Sequence, residues 1–323
     1  MRRNRDNSRL KRLLPSPTGR GWGWGSEAAR PRVGAGAEPP PQPLPIGEGL
    51  PASGVSPWPP AFTAYARRLE RRSHAIPRVL GRNIEAIAVV WACVLLFVSL
   101  PVVTSSPAPA SGPLEALALA LPYVLAAIAP LAGLRLAMRS FPHGMLTAAP
   151  AHRFFSYGRW RRLSVVEARA SPLFGPAGFM ASLLIGLLLG IVVRSFEFLA
   201  AVPALGASAP LWGRTLFTLM AADLILMNFF YMVCFVLALR AVPYFPKLML
   251  FAWGLDLFIQ LLIAARLGAI AGLPPAVAQP LESLLFGNIQ KVLISVMVWL
   301  PYLILSERVN VTYRQRARAA QSA

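Results

Sequence analysis

Residues 178–199 read GFMASLLIGLLLGIVVRSFEFL. At a rise of 1.5 Å per residue such a helix is about 33 Å long, enough to cross a hydrocarbon core of about 30 Å. Only Arg194 and Glu197 carry charge, and both sit near one end. The stretch predicts a membrane-spanning helix. Working outward, five further apolar runs have comparable length: 84–103, 114–136, 216–239, 248–265 and 289–305. The fold class expected is an all-α integral membrane protein with six transmembrane helices. Pro101, Pro122, Pro130 and Pro301 fall in or at the ends of these runs and predict kinks, because neighbouring helices can satisfy the freed carbonyls.

Orientation follows from the Lys and Arg of the short connections, which are retained in the cytoplasm. Arg139, Arg153, Arg159, Arg161, Arg162 and Arg169 lie between the second and third runs; Arg240 and Lys247 lie between the fourth and fifth; Arg308, Arg314, Arg316 and Arg318 follow the sixth. The alternate connections are nearly free of charge. Both termini are therefore expected in the cytoplasm, in the inner membrane of a bacterium. Within the loop 140–176, aromatic residues interleave with arginines, and Arg153, Trp160, Arg161 and Arg162 are expected to anchor on a bilayer surface with anionic head groups.

Composition agrees with this reading. Of 323 residues, 56% are hydrophobic and 14% charged, against about 25% charged in soluble domains. The formal charge of +19 is front-loaded, with 15 of the 32 Lys and Arg in residues 1–83. No nucleic-acid-reading module accompanies it, so no nucleic acid partner is expected. Residues 1–60 form a segment whose 13–60 portion holds 12 Pro and 9 Gly, and it is expected to be disordered. LPSPTGRGWGWG and PPPQPLPIGEG within it look like the two arms of a translated inverted repeat, so translation is expected to start downstream, near Leu50 or Val55. From 61 to 82, Phe62, Tyr65 and Leu69 alternate with arginines and predict a short basic helix on the membrane surface. The organisation expected is thus a tail to 60, a basic helix and transmembrane hairpin over 61–139, a basic aromatic loop over 140–176, a four-helix module over 177–315, and a cytoplasmic tail over 316–323.

Cys93 and Cys234 lie in apolar runs and read as buried thiols, while His74, His143 and His152 lack metal-ligand spacing. No nucleophile elbow, zinc-protease or phosphate-loop motif is present. Catalytic residues, cofactors and metals are not expected.

The polar residues within the runs are more informative. Gly178, Ser182, Gly186 and Gly190 recur every fourth position, the spacing of a close helix–helix contact. Arg194 continues that stripe into the bundle, with Glu197 in reach of a same-helix ion pair. Asp223 and Asp256 lie deep in the fourth and fifth runs. A central charge costs about 2.5–3.5 kcal/mol on insertion scales, so each is expected to face protein. Depth counting puts Asp223 about 10 Å and Arg194 about 6 Å from the same surface, which pairs them. Asp256 falls about 13 Å from the other surface, near the midplane, with Gln260 one turn away and no evident cation. Asn228 and Lys291 complete the intramembrane polar set, Lys291 close enough to an end to snorkel. These residues read either as interhelical glue or as a proton or cation site.

The last 140 or so residues resemble a family of bacterial inner-membrane proteins, a YdgK-like domain of unknown function. The matching features are GPAGFMASLLIGLLLGIVVR, Asp223 with Asn228, the LRAVPYFPK turn with Phe245 and Pro246, and the closing WLPYLILSERVNVTY with Pro301, Ser306 and Arg308. The resemblance implies four transmembrane helices and an inner-membrane location, and no reaction. The function expected is a non-catalytic membrane component binding protein or lipid partners, a homo-oligomer included; the alternative is a proton- or cation-linked transporter using Asp223 and Asp256.

Overall fold

In the computed structural model, the structure describes residues 73–107, 110–145, 147–150, 159–269 and 273–318, all of them within the compact unit Pro57–Ala323. The expected tail, the first part of the surface helix and Arg153 lie outside the described residues.

Six long helices form the body: α1 (Ala75–Thr104), α2 (Pro113–Ser140), α4 (Phe179–Ala201), α5 (Leu211–Leu239), α6 (Phe245–Gly268) and α7 (Pro275–Leu305). All six are long and apolar enough to cross a membrane, so the chain is an all-α, multi-pass membrane protein. Short elements complete it: β1 (Trp160–Arg162), α3 (Val165–Ala170), α8 (Glu307–Arg314) and β2 (Arg316–Arg318).

The helices outrun the apolar runs, because backbone hydrogen bonding does not stop where hydrocarbon does. Ala75–Arg82, expected as the end of a separate surface helix, forms instead the first turns of α1. Pro101, Pro122, Pro130 and Pro301 stay inside continuous helices.

The helix α5 is central, packing against α2, α4 and α6, while α7 leans on α6. The hairpin α1–α2 is therefore built onto the four-helix module rather than beside it. The two come close at Gly133 of α2, where a Cβ would meet the Phe229 carbonyl oxygen of α5 at 2.7 Å. Only glycine permits that spacing.

Short elements cover one end of the bundle. Ser164 opens α3 with a capping box: its hydroxyl accepts from the Glu167 N–H, and the Glu167 carboxylate accepts from the Ser164 N–H. The strand β2 pairs antiparallel with β1, in the register Trp160 to Arg318, Arg161 to Ala317 and Arg162 to Arg316. Tyr313 of α8 donates its hydroxyl to the Ala238 carbonyl at 2.7 Å and packs its ring on Phe245 at 5.1 Å. Residues expected as a plain tail after 315 are thus tied to the loop 140–176 by a two-stranded ladder.

Replacing Gly133 by Ala is expected to lower stability by about 1–3 kcal/mol, because the helices must separate. Thermal unfolding in detergent measures this; a midpoint equal to that of wild type would mean that the contact yields freely.

Candidate functional site

Arg194 enters the bundle about two turns before the end of α4, and the two helices behind it each present an acid. Its Nη2 donates to Asp256 Oδ1 of α6 at 2.7 Å and lies 3.8 Å from Asp223 Oδ2 of α5. Asp256 is 1% and Asp223 4% exposed, so both are buried with their cation. The Tyr231 hydroxyl of α5 donates to the second Asp256 oxygen at 2.6 Å. Gln260, one turn beyond Asp256, donates its Nε2 to Asp223 Oδ2 at 3.1 Å. Beside this set, Asn228 Nδ2 donates to Ser195 Oγ at 2.9 Å, and Ser195 donates to the Ile191 carbonyl at 2.8 Å.

Depth counting paired Arg194 with Asp223 and set Asp256 apart without a cation, whereas the structure brings all three together and the pairing differs from expectation. Asp256, expected without a cation, makes the direct hydrogen bond to Arg194. Asp223 is the longer-range partner and takes Gln260. The reason is rotational: a guanidinium on α4 meets the face that α6 presents, and depth alone does not specify that face. Tyr231 was not singled out by sequence reasoning, since a tyrosine in an apolar run gives no signal until its hydroxyl has a partner.

Glu197 does not pair with Arg194 along α4. It accepts instead from Lys291 of α7, which thereby bridges two helices rather than snorkelling alone. Arg194 and Glu197 are less than one turn apart on α4, yet the first ion pair is internal and the second half exposed.

The glycine stripe also behaves differently from expectation. Gly178 has φ +66° and caps α4 beside Arg308, and Ser182 turns its hydroxyl back to the Phe179 carbonyl. A Cβ built on Gly186 or Gly190 meets nothing within 4 Å. The stripe therefore lines a groove between α4 and α7 instead of seating a helix. The groove holds about 190 Å³, with Arg194, Tyr231 and Asp256 on its wall and Leu187, Trp253 and Val292 beside them. Trp299 on its wall stacks on Phe179 at 4.6 Å, with Tyr302 edge-on to Phe179 at 4.9 Å, and the paired Lys291 and Glu197 line it further along. Among the described residues, no His or Cys lines it.

The remaining sequence-selected positions gather at the end of the bundle that carries the strands. Phe245 is buried against Tyr313, Pro246 starts α6, Pro301 is within α7, and Ser306 joins α7 to α8. Trp160, Arg161 and Arg162 form β1, where Trp160 lies under the guanidinium of Arg316 at 5.0 Å. No family model matches the chain, and neither a curated protein nor a solved structure matches it.

Replacing Arg194 by Gln is expected to cost about 3–5 kcal/mol, since it leaves two buried carboxylates without their cation, and Asp256→Asn somewhat less, since the direct hydrogen bond is lost but Asp223 still faces Arg194. Asp223→Asn should cost less still, because its contact with Arg194 is longer. Gly186→Ala should be within about 0.5 kcal/mol of wild type. Thermal midpoints in detergent give the order; Gly186→Ala ranking with Asp256→Asn would contradict an open groove.

Proposed function

We propose that this protein is a non-catalytic component of a bacterial inner membrane, with both termini and the β1–β2 ladder in the cytoplasm, that binds protein or lipid partners. The observation that carries this reading is the guanidinium of Arg194 between two buried aspartates. Its charge is compensated inside the protein, and its hydrogen bond to Asp256 and ion pair with Asp223 fix α4, α5 and α6 relative to one another. A network of that kind acts as a clamp, and the groove beside it is where a partner meets the module. The basic residues around β1 and β2 support the cytoplasmic assignment. The resemblance to the YdgK-like four-helix family belongs to the same proposal and supports the location.

One observation favours a second reading, a proton- or cation-linked transporter. Asp223 Oδ1 and Gln260 Oε1 are buried without a hydrogen-bond partner. Unused acceptor oxygens beside a carboxylate are what a proton or cation would occupy.

Stability in detergent from pH 5 to 9 separates the two. On the clamp reading, Asp223→Asn and Asp256→Asn lower the melting temperature at every pH and leave the shape of the profile unchanged. A step in the wild-type profile that Asp223→Asn abolishes, with little loss of stability, would replace the clamp by a protonatable site.

A further inference from the structure

A second cavity, of about 480 Å³, opens at the strand-bearing end of the bundle, away from the ion network. Four cations line it: Arg162 of β1, Lys247 of α6, Arg314 of α8 and Arg316 of β2. Among the described residues, no Asp or Glu lines it. Its deeper wall is aliphatic, made by Leu250 of α6 with Leu300, Leu303 and Ile304 of α7. One end is thus cationic and the other is hydrocarbon-like.

The strand register concentrates the charge. Arg162 stands directly opposite Arg316 in the antiparallel ladder, a pairing of like charges that costs stability by itself. Arg316 is held in place, with its Nε donating to Asn310 Oδ1 at 2.8 Å and its guanidinium over Trp160. It cannot swing away from Arg162 without breaking both contacts. Burial, and then the neighbouring Arg316, pull the pKa of Arg314 down to about 10. Alternation along β1 sends the next arginine elsewhere: Arg161 lies 3.8 Å from Glu167. Hydrogen bonds from the Ser164 N–H and hydroxyl hold that carboxyl below its ordinary range.

We infer that this cavity binds one anionic phospholipid, its phosphate among Arg162, Lys247, Arg314 and Arg316 and an acyl chain along Leu250, Leu300, Leu303 and Ile304. Guanidinium groups match phosphate oxygens in geometry as well as charge, and the aliphatic wall begins where a lipid chain would leave its headgroup. The site goes beyond the clamp reading and does not depend on it, since it shares no residue with the ion network.

Native mass spectrometry of the full chain tests this, with phosphatidylglycerol or phosphatidylcholine added to the detergent. Wild type is expected to retain one phosphatidylglycerol in preference to phosphatidylcholine. Arg162→Gln and Lys247→Gln should each weaken that retention about tenfold, whereas Arg161→Gln, on the other face of the same strand, should leave it unchanged. Equal retention of the two lipids by wild type would overturn the inference without any variant. So would unchanged retention in Arg162→Gln and Lys247→Gln. Inorganic phosphate displacing phosphatidylglycerol completely at millimolar concentration would assign the cations to a soluble anion instead and overturn the lipid assignment.

Discussion

A charge inside a bilayer must be compensated by its neighbours, and Arg194 is the position at which this fold meets that requirement. A helix carrying a lone arginine within its apolar span would be driven to tilt, or to bring its guanidinium to water. Here α5 and α6 each bring an aspartate to it, and neither aspartate is stable at that depth without the arginine. The three helices are thus held in register by mutual need: sliding any one by a turn moves a charge about 5.4 Å from its partner. Tyr231 and Gln260 fix the carboxylates from outside the ion pairs, donating to Asp256 and Asp223 respectively. Van der Waals packing then sets the rest of the bundle, and Gly133 lets α2 approach α5 backbone to backbone.

The same clamp explains why α7 is the least embedded helix. It contributes no residue to the Arg194 network, and its main neighbour in the membrane is α6. Phe179 packed on Trp299 and Tyr302 holds it against α4, as does the Lys291–Glu197 pair. Between them Gly186 and Gly190 provide no side chain to fill the gap, so a groove results with charged groups on its wall. Small residues close a helix interface only when a partner is near enough to use the space. In α4 they leave that space open.

Much of this was legible in the sequence, for reasons that can be stated. Six runs of sufficient length and apolarity fix the number of spans because the bilayer sets a minimum length, and charge at 194, 223 and 256 fixes which residues need partners. What sequence does not specify is rotation. Depth arithmetic assigned Arg194 to Asp223, whereas the turn of α6 that faces α4 gives the hydrogen bond to Asp256. The same gap in information sent Glu197 to Arg194 on its own helix rather than to Lys291 across the groove. Same-helix spacing can be counted from sequence, while the distance between α4 and α7 depends on everything packed between them.

The ladder between β1 and β2 was illegible for a different reason. Three-residue strands carry no measurable period, and WRR and RAR read as a charged loop and a charged tail. Nothing local selects their pairing, in which arginine faces arginine. The selection is tertiary: Tyr313 anchored at Ala238 delivers the chain to the end of the bundle, and Gln315, in the left-handed region at φ +51°, turns it back. The Gln315 side chain then accepts from the Ala149 N–H at 3.0 Å and donates to the Thr147 carbonyl at 2.7 Å, so the segment before β1 is gathered by the same residue. A pairing made against the preference of its own charges has to be held by such anchors. The cationic cavity is the consequence of that constraint, because the anchors leave Arg162 and Arg316 side by side on its wall.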